Sequence, residues 1–302
     1  MKKMFIYNLM DMSVIKRLEV SLMISDYGYC WSKDSDFGNE TSFKNFTNDD
    51  IKEFLSSYDL VIINNGYRKP QENFRKITKE LNKKTIFTEL GHLPQRGNLH
   101  LDYNGLYHED SLCFDSLDWV TENDINLCKN YLNNSIYAQF LSEQKKDYIL
   151  CPFQLDFDSS LAKSKLTNID LINFVLQKYR SERIIFKFHP LHKEEYKKNI
   201  ISSYQNIEIA EDQSFLELAK NAKKIVGMSS TCIVEALALN KEVEAIAECP
   251  IYFAIKNGKI ENFEYRQKLL TAYFLTQYKH NDIKDAKRCV ELLIKRSGYQ
   301  FF

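Results

Sequence analysis

Tyr148-Ile-Leu-Cys-Pro-Phe-Gln-Leu-Asp-Phe-Asp-Ser-Ser160 decides how the chain is read. Its first part, Tyr148–Phe153, is a short apolar run between the charged Gln144-Lys-Lys-Asp147 and a polar loop holding Gln154, Asp156 and Asp158. A run bounded in this way predicts a strand buried on both faces, as in a parallel sheet. A helix is predicted from about Thr167. In open α/β sheets, ligands sit on the loops that leave the carboxyl ends of the strands. Asp158 is therefore at a candidate site. The strand also lies near the middle of the chain, where a first domain of residues 1–143 would give way to a second of 144–302.

Outward from this strand, both halves alternate in the βα manner. Towards the N-terminus, strands are expected at Met4–Asn8, Asp59–Asn64 and Lys84–Thr88, with helices at Ser13–Ile24 (capped by Ser13), Asp49–Ser57 and Gln71–Asn82. Glu89 to about Leu117 reads as a long polar loop, and long irregular segments inside a domain are usually functional. Asp118-Trp-Val and a helix from Glu122 close this half. Towards the C-terminus, strands are expected at Arg183–Phe188, Asn206–Ala210, Lys223–Gly227 and, last, Glu242–Ile246. The helices between them are Asn168–Arg180, one through Tyr196, one from Gln213 and one from Ser230. The pattern predicts an α/β fold of two Rossmann-like domains with parallel sheets, facing each other across a cleft. Two C-terminal helices, Asn262–Gln277 and Asn281–Ser297, are expected to pack back across both.

Composition narrows the function classes. Lys+Arg and Asp+Glu are both 41, so no net charge draws the chain to nucleic acid. No stretch approaches the ~20 apolar residues of a membrane span. Met1-Lys-Lys-Met-Phe-Ile-Tyr-Asn reads as a first strand and not a secretion signal. The cysteines (30, 113, 128, 151, 232, 249 and 289) form no CxxC pair, which argues against a disulfide framework or a zinc site. A cytoplasmic location follows as the default.

Three further places could carry chemistry. Glu89 and Asp158 each follow a predicted strand, one in each half. Two carboxylates are the minimum for acid/base or nucleophilic chemistry at a sugar centre, and solvated loop acids or helix caps are the plainer reading. Lys187-Phe-His189-Pro190 ends a strand, where His189 can bond a phosphate or base and Lys187 can supply charge, or the His can be a strand end with no further role. Gly227-Met-Ser-Ser-Thr231 opens a helix with Ser229, Ser230 and Thr231, which can be an anion site or simple capping. Glu235 stands one turn beyond Thr231, off the spacing of a capping box. Neither GxGxxG nor a Walker A pattern is present.

In order, these pieces resemble the capsule-polysaccharide-type (Kps-like) retaining β-Kdo glycosyltransferases. Thr88-Glu-Leu-Gly91 with Leu101-Asp-Tyr-Asn-Gly-Leu-Tyr107 is similar to the family's acid-Gly segment and later Asp-x-x-Gly-x-Tyr. Pro152-Phe-Gln154-Leu-Asp-Phe-Asp158 is similar to its Pro-x-Gln-x-x-x-Asp loop. Phe186-Lys-Phe-His189-Pro190 is similar to its His-Pro motif, and Ser229-Ser-Thr-Cys-Ile-Val-Glu-Ala236 to its Ser-rich, Glu-Ala helix start. The resemblance spans about 88 to 240. It departs from the pattern after Gly91, where His-Leu-Pro stands in place of an early Arg.

The resemblance implies a GT-B-like enzyme that moves Kdo from CMP-Kdo to a glycan or glycolipid acceptor in capsule or lipopolysaccharide biosynthesis, with retention and without cofactor or metal. It implies Asp158 as nucleophile, Glu89 as general base, and Gln154, His189 and Pro190 at the CMP. Lys187 would counter a phosphate or the Kdo carboxylate. Ser229, Ser230 and Thr231 would hold the phosphate, and Glu235 the ribose. The alternatives are a GT-B transferase using CMP-sialic acid or a UDP-sugar, and a non-catalytic assembly subunit of the same fold. The tail Lys295-Arg-Ser-Gly-Tyr-Gln-Phe-Phe302 reads either as a peripheral contact with the inner membrane or as a solvated helix end.

Overall fold

The computed structural model describes residues 2–7, 27–32, 47–67, 71–141, 147–190, 206–210, 212–280 and 282–299. The chain divides into two compact units, Met1–Ser111 with Leu275–Phe302, and Leu112–Phe274. This division differs from the expected boundary at 143/144. Residues 112–143 group with the second unit, and the C-terminal residues return to the first.

The strands are β1 (Lys2–Tyr7), β2 (Tyr27–Ser32), β3 (Leu60–Asn64), β4 (Lys84–Leu90), β5 (Asn98–Asp102), β6 (Tyr148–Pro152), β7 (Arg183–Lys187), β8 (Ile207–Ala210), β9 (Lys224–Gly227), β10 (Glu242–Ala245) and β11 (Gln277–Lys279). The helices are α1 (Asn48–Ser56), α2 (Gln71–Glu80), α3 (Glu122–Asn133), α4 (Asn168–Lys178), α5 (Phe215–Asn221), α6 (Thr231–Ala238), α7 (Pro250–Lys256), α8 (Phe263–Leu275) and α9 (Ile283–Ser297). Capping boxes start several of them. Thr47 with Asp50 opens α1, and Thr121 with Asp124 opens α3.

The first unit holds a six-stranded sheet of order β11-β5-β4-β3-β1-β2. β1 to β4 run parallel, but β5 pairs antiparallel with β4, and β11 antiparallel with β5. The parallel sheet expected here is therefore mixed. The expected loop from Glu89 to Leu117 contains β5, and Glu89 lies inside β4, opposite His100, and not after the strand. Gly91 makes this pairing possible, because a Cβ there would lie 2.5 Å from the Cβ of Asn98. Ala286, Cys289, Val290 and Leu293 of α9 pack with Met4, Ile6, Leu60, Ile62 and Ile86 in the core of this unit. Each of the larger aliphatic side chains here contributes ~1.5–3 kcal/mol by its burial. Tyr299 packs on the same core, its ring 6.3 Å from that of Tyr103.

The second unit holds a five-stranded sheet, β10-β9-β6-β7-β8, parallel throughout as its sequence predicts. β6 is at its centre, buried along its whole length. Ile149 and Cys151 of β6 pack with Ile184 and Phe186 of β7, Val226 of β9, and Leu171, Ile172 and Val175 of α4. The expected helices Ser13–Ile24 and through Tyr196 lie outside the described residues, as do residues 300–302. No helix among the described residues is long and apolar enough to cross a membrane.

Candidate active site

The second sheet reverses its order beside β6. The chain steps outward from β6 to β7 and β8, then returns to place β9 on the other side of β6. In open α/β sheets the crevice at such a reversal, outside the carboxyl ends of the strands, is the ligand site. The loops after β6 and β9 meet there. Ser229 N donates to Gln154 Oε1 at 3.3 Å, and Ser229 Oγ donates to Ser160 Oγ at 3.0 Å. Gln154 Nε2 donates to Ser160 Oγ and lies 3.5 Å from Ser229 Oγ. Gln154 and Ser229, chosen from sequence, are thus joined through Ser160, which sequence reasoning quoted but gave no role.

The loop after β6 is tied to the start of α4 by Asn168, a buried residue that sequence reasoning missed. Gln154 N donates to Asn168 Oδ1 at 3.0 Å, and Asn168 Nδ2 donates to Gln154 O at 2.6 Å and Asp156 Oδ1 at 2.7 Å. Between these anchors sits Asp158. Its Oδ1 accepts from Ser160 N at 2.9 Å, so it caps the short turn Ser159–Leu161. The capping reading is present in the structure. The half-buried carboxylate keeps Oδ2 without a hydrogen-bond partner among the described residues.

Ser230 caps α6, accepting from Cys232 N at 3.3 Å. The helix dipole and its unpaired N–H groups favour an anion at this end. Lys187 is buried at the end of β7 with Nζ 3.4 Å from Phe188 O. Its positive charge reaches the Cys232 thiol, which burial and Glu235 push up to about 12. His189 and Pro190 follow β7, the histidine half-buried and the proline exposed. Glu235, also on α6, accepts from Tyr137 Oη at 2.9 Å. Burial pushes its carboxyl up to about 7 although the Tyr137 bond pulls it down. Nothing in the sequence around Tyr137 marks it.

Glu89 belongs to the first unit. Its Oε2 accepts from Asn65 Nδ2 at 2.5 Å and Tyr107 Oη at 2.7 Å, and its Oε1 accepts from Leu90 N at 2.8 Å. Both side-chain donors have left-handed backbones, Asn65 at φ 66° and Tyr107 at φ 57°. Asn tolerates this, but for Tyr it costs ~1–2 kcal/mol, and such strain gathers at functional positions. Behind them Glu109 receives Tyr67 Oη, Arg75 and Lys79. Burial would raise its carboxyl, but those hydrogen bonds and charges hold it at about 2.

One set with metal-ligand chemistry occurs among the described residues: His100, Asp102 and Asp110, buried within 4.8 Å of one another. The set is balanced by protein groups. His100 Nε2 pairs with Asp110 at 2.8 Å, Ser111 Oγ donates to Asp102, and Arg296 donates to Ser111 Oγ at 2.6 Å.

Protein FixF of Sinorhizobium fredii (strain NBRC 101917 / NGR234) is 26% identical over 217 residues, 66% of this chain and 52% of its own length. The chain thus spans about half of that relative. The fold aligns with Thermosulfurimonas dismutans KpsC, a beta Kdo 2,7 transferase, at a TM-score of 0.60 and 12% identity, over 98% of this chain and 100% of that one. The architecture is GT-B-like, α/β with two sheets. Residues 123–254, which hold β6, β7, β9, α6 and the whole cluster at the order reversal, match the family of capsule polysaccharide biosynthesis proteins.

Proposed function

We propose that the chain is a retaining glycosyltransferase that moves Kdo from CMP-Kdo to a glycan acceptor in capsule or lipopolysaccharide biosynthesis. The observation that carries this reading is the convergence of Gln154, Asp158 and Ser160 after β6 with Ser229 and Ser230 after β9. It sets one under-bonded carboxylate beside an anion-binding helix start. The second unit is the donor-binding domain and the first is the acceptor side.

In the first step the Asp158 carboxylate attacks the anomeric carbon of Kdo. The bond from that carbon to the phosphate oxygen breaks, and CMP leaves with the electron pair. The α6 N-terminus, with Ser229, Ser230, Thr231 and Lys187, stabilises the charge on the departing phosphate. His189 and Pro190 contact CMP, and Glu235 takes the ribose hydroxyls. In the second step Glu89 accepts the proton of the acceptor hydroxyl, whose oxygen attacks the same carbon and releases Asp158. Two inversions give net retention.

Intact-protein mass spectrometry after exposure to freshly generated CMP-Kdo tests this. Wild type and Glu89→Gln are expected to gain one Kdo increment, with more adduct in Glu89→Gln, and Asp158→Asn none. CMP release with no adduct in any variant would remove the covalent step. Absence of both signals, with turnover of CMP-sialic acid or a UDP-sugar, would move the reading to another donor.

A further inference from the structure

Helices α3, α6 and α8 of the second unit surround a pocket of about 350 Å³. That lies at the lower end of the range for small-molecule sites, about 300–1,000 Å³. Ile125 and Leu132 of α3, Leu237 of α6 and Leu270 of α8 give it apolar walls. Its charged lining residues are Lys129 and Arg266, and no carboxylate lines it.

Arg266 is the informative one. It is half-buried, and burial lowers the affinity of its guanidinium for the proton, against the field of Glu242. One amino group donates to Lys241 O at 2.8 Å. No ion pair is formed with a described carboxylate. A guanidinium has five N–H donors, so most of its capacity is open. A partly desolvated cation that no carboxylate pairs with directly is costly, and an apolar wall next to it cannot satisfy it.

We infer that this pocket binds a single-chain anionic amphiphile, with the chain along Ile125, Leu132, Leu237 and Leu270 and the head group on Arg266 and Lys129. A neutral hydrocarbon leaves the cation unpaired. A sugar phosphate leaves the apolar walls unfilled. The pocket meets the C-terminal end of α6 at Leu237 and Ala238, whereas the anion site described above is at Ser230. The inference therefore does not depend on the glycosyl-transfer reading.

The test is titration calorimetry of the full chain with decanoate, decanol and decyltrimethylammonium, each below its micellar concentration. It is run on wild type, Leu270→Trp, which narrows the pocket and blocks the path of the chain, and Lys129→Glu, which reverses an exposed charge and leaves the packing alone. Decanoate is expected to bind once per chain, with no binding in Leu270→Trp and a loss of about threefold to tenfold in Lys129→Glu. Sedimentation with phosphatidylcholine vesicles, with and without the single-chain lysophosphatidylglycerol, separates two sources of the same chemistry. Leu270-dependent binding to the anionic vesicles identifies a membrane lipid, and binding of decanoate alone identifies a free amphiphile. Equal binding of all three decyl compounds, or decanoate affinity unchanged in both variants, overturns the proposal. So does a reversible dimer lost in Leu270→Trp without amphiphile binding, which would make this face a contact between copies.

Discussion

The hydroxyl of Tyr137 donates to Oε1 of Glu235 at 2.9 Å, joining a buried side chain before the turn Ala138–Phe140 to the middle of α6. The bond is the protein's partial compensation for a carboxyl that burial pushes from 4.5 to about 7. In that window the unfolded chain has released the proton and the folded chain retains it, so stability falls as pH rises from about 4.5 to about 7. Glu235→Gln removes the titration. The variant is expected to match wild type near pH 4 and to exceed it by about 1–3 kcal/mol at pH 8. Tyr137→Phe is expected to move the other way at pH 8. Urea midpoints at the two pH values decide this, and equal shifts at both would exclude the linkage.

Asn168 holds the loop after β6 through both ends of its amide. Asn168→Ala leaves the buried Gln154 N–H without an acceptor, at a cost of about 1–3 kcal/mol. Asn168→Asp sets a second carboxylate against Asp156 Oδ1 and is expected to cost more. Thermal unfolding gives the order of the two variants. On the proposed function nucleotide affinity is expected to fall in both, since Gln154 and Ser160 share this loop.

The His100–Asp110 pair gives the first unit its own pH dependence. Burial works against the imidazolium, but the charge and hydrogen bond of Asp110, with Asp102, hold His100 above its ordinary 6.5. The resulting stability is fully present below the unfolded value and is lost as pH rises through the folded one. His100→Gln leaves Asp110 buried without its cation. The expected cost is about 3–5 kcal/mol at pH 6 and less at pH 9, read from chemical denaturation.

Asn65 and Tyr107 aim Glu89. On the proposed mechanism Tyr107→Phe and Asn65→Ala leave formation of the Asp158 adduct unchanged and slow its transfer to acceptor by about tenfold to a hundredfold. Rapid-quench mass spectrometry separates the two steps. A variant that slows adduct formation to the same degree would point to a structural role alone.

How much of this was readable depended on whether a residue's local sequence carried its environment. β6, β7 and β9 are apolar runs ended by Pro, His-Pro and Gly, so they and the site loops after them were legible. β5 was not. Asn-Leu-His-Leu-Asp carries polar residues, yet it is buried throughout, with Asp110 pairing with Nε2 of His100 and Ser111 donating to Asp102. β11 is three residues long and takes its strand form from pairing with β5. Glu89 stood out as a candidate carboxylate but is placed by its local pattern beyond a strand that in fact includes it. Tyr137 and Asn168 act through partners 98 and 14 positions away, a relation that no local pattern encodes. Asn65 was closer to hand, since Asn-Gly after an apolar run signals a turn with positive φ.

The sheet of the first unit is completed by Gln277–Lys279, whose register pairs Gln277 with His100 and Lys279 with Asn98. The side chain of Gln277 also accepts from His92 N and Leu93 N at 2.7 and 3.0 Å. During synthesis the whole of Leu112–Phe274 therefore leaves the ribosome before β5, already paired with β4, can gain its second neighbour. Domains tend to fold as they emerge, so here the later-coded unit is expected to become native first. The earlier one waits with an open strand edge, and a ribosome stalled near residue 270 would present it to any chaperone that recognises unpaired β-structure.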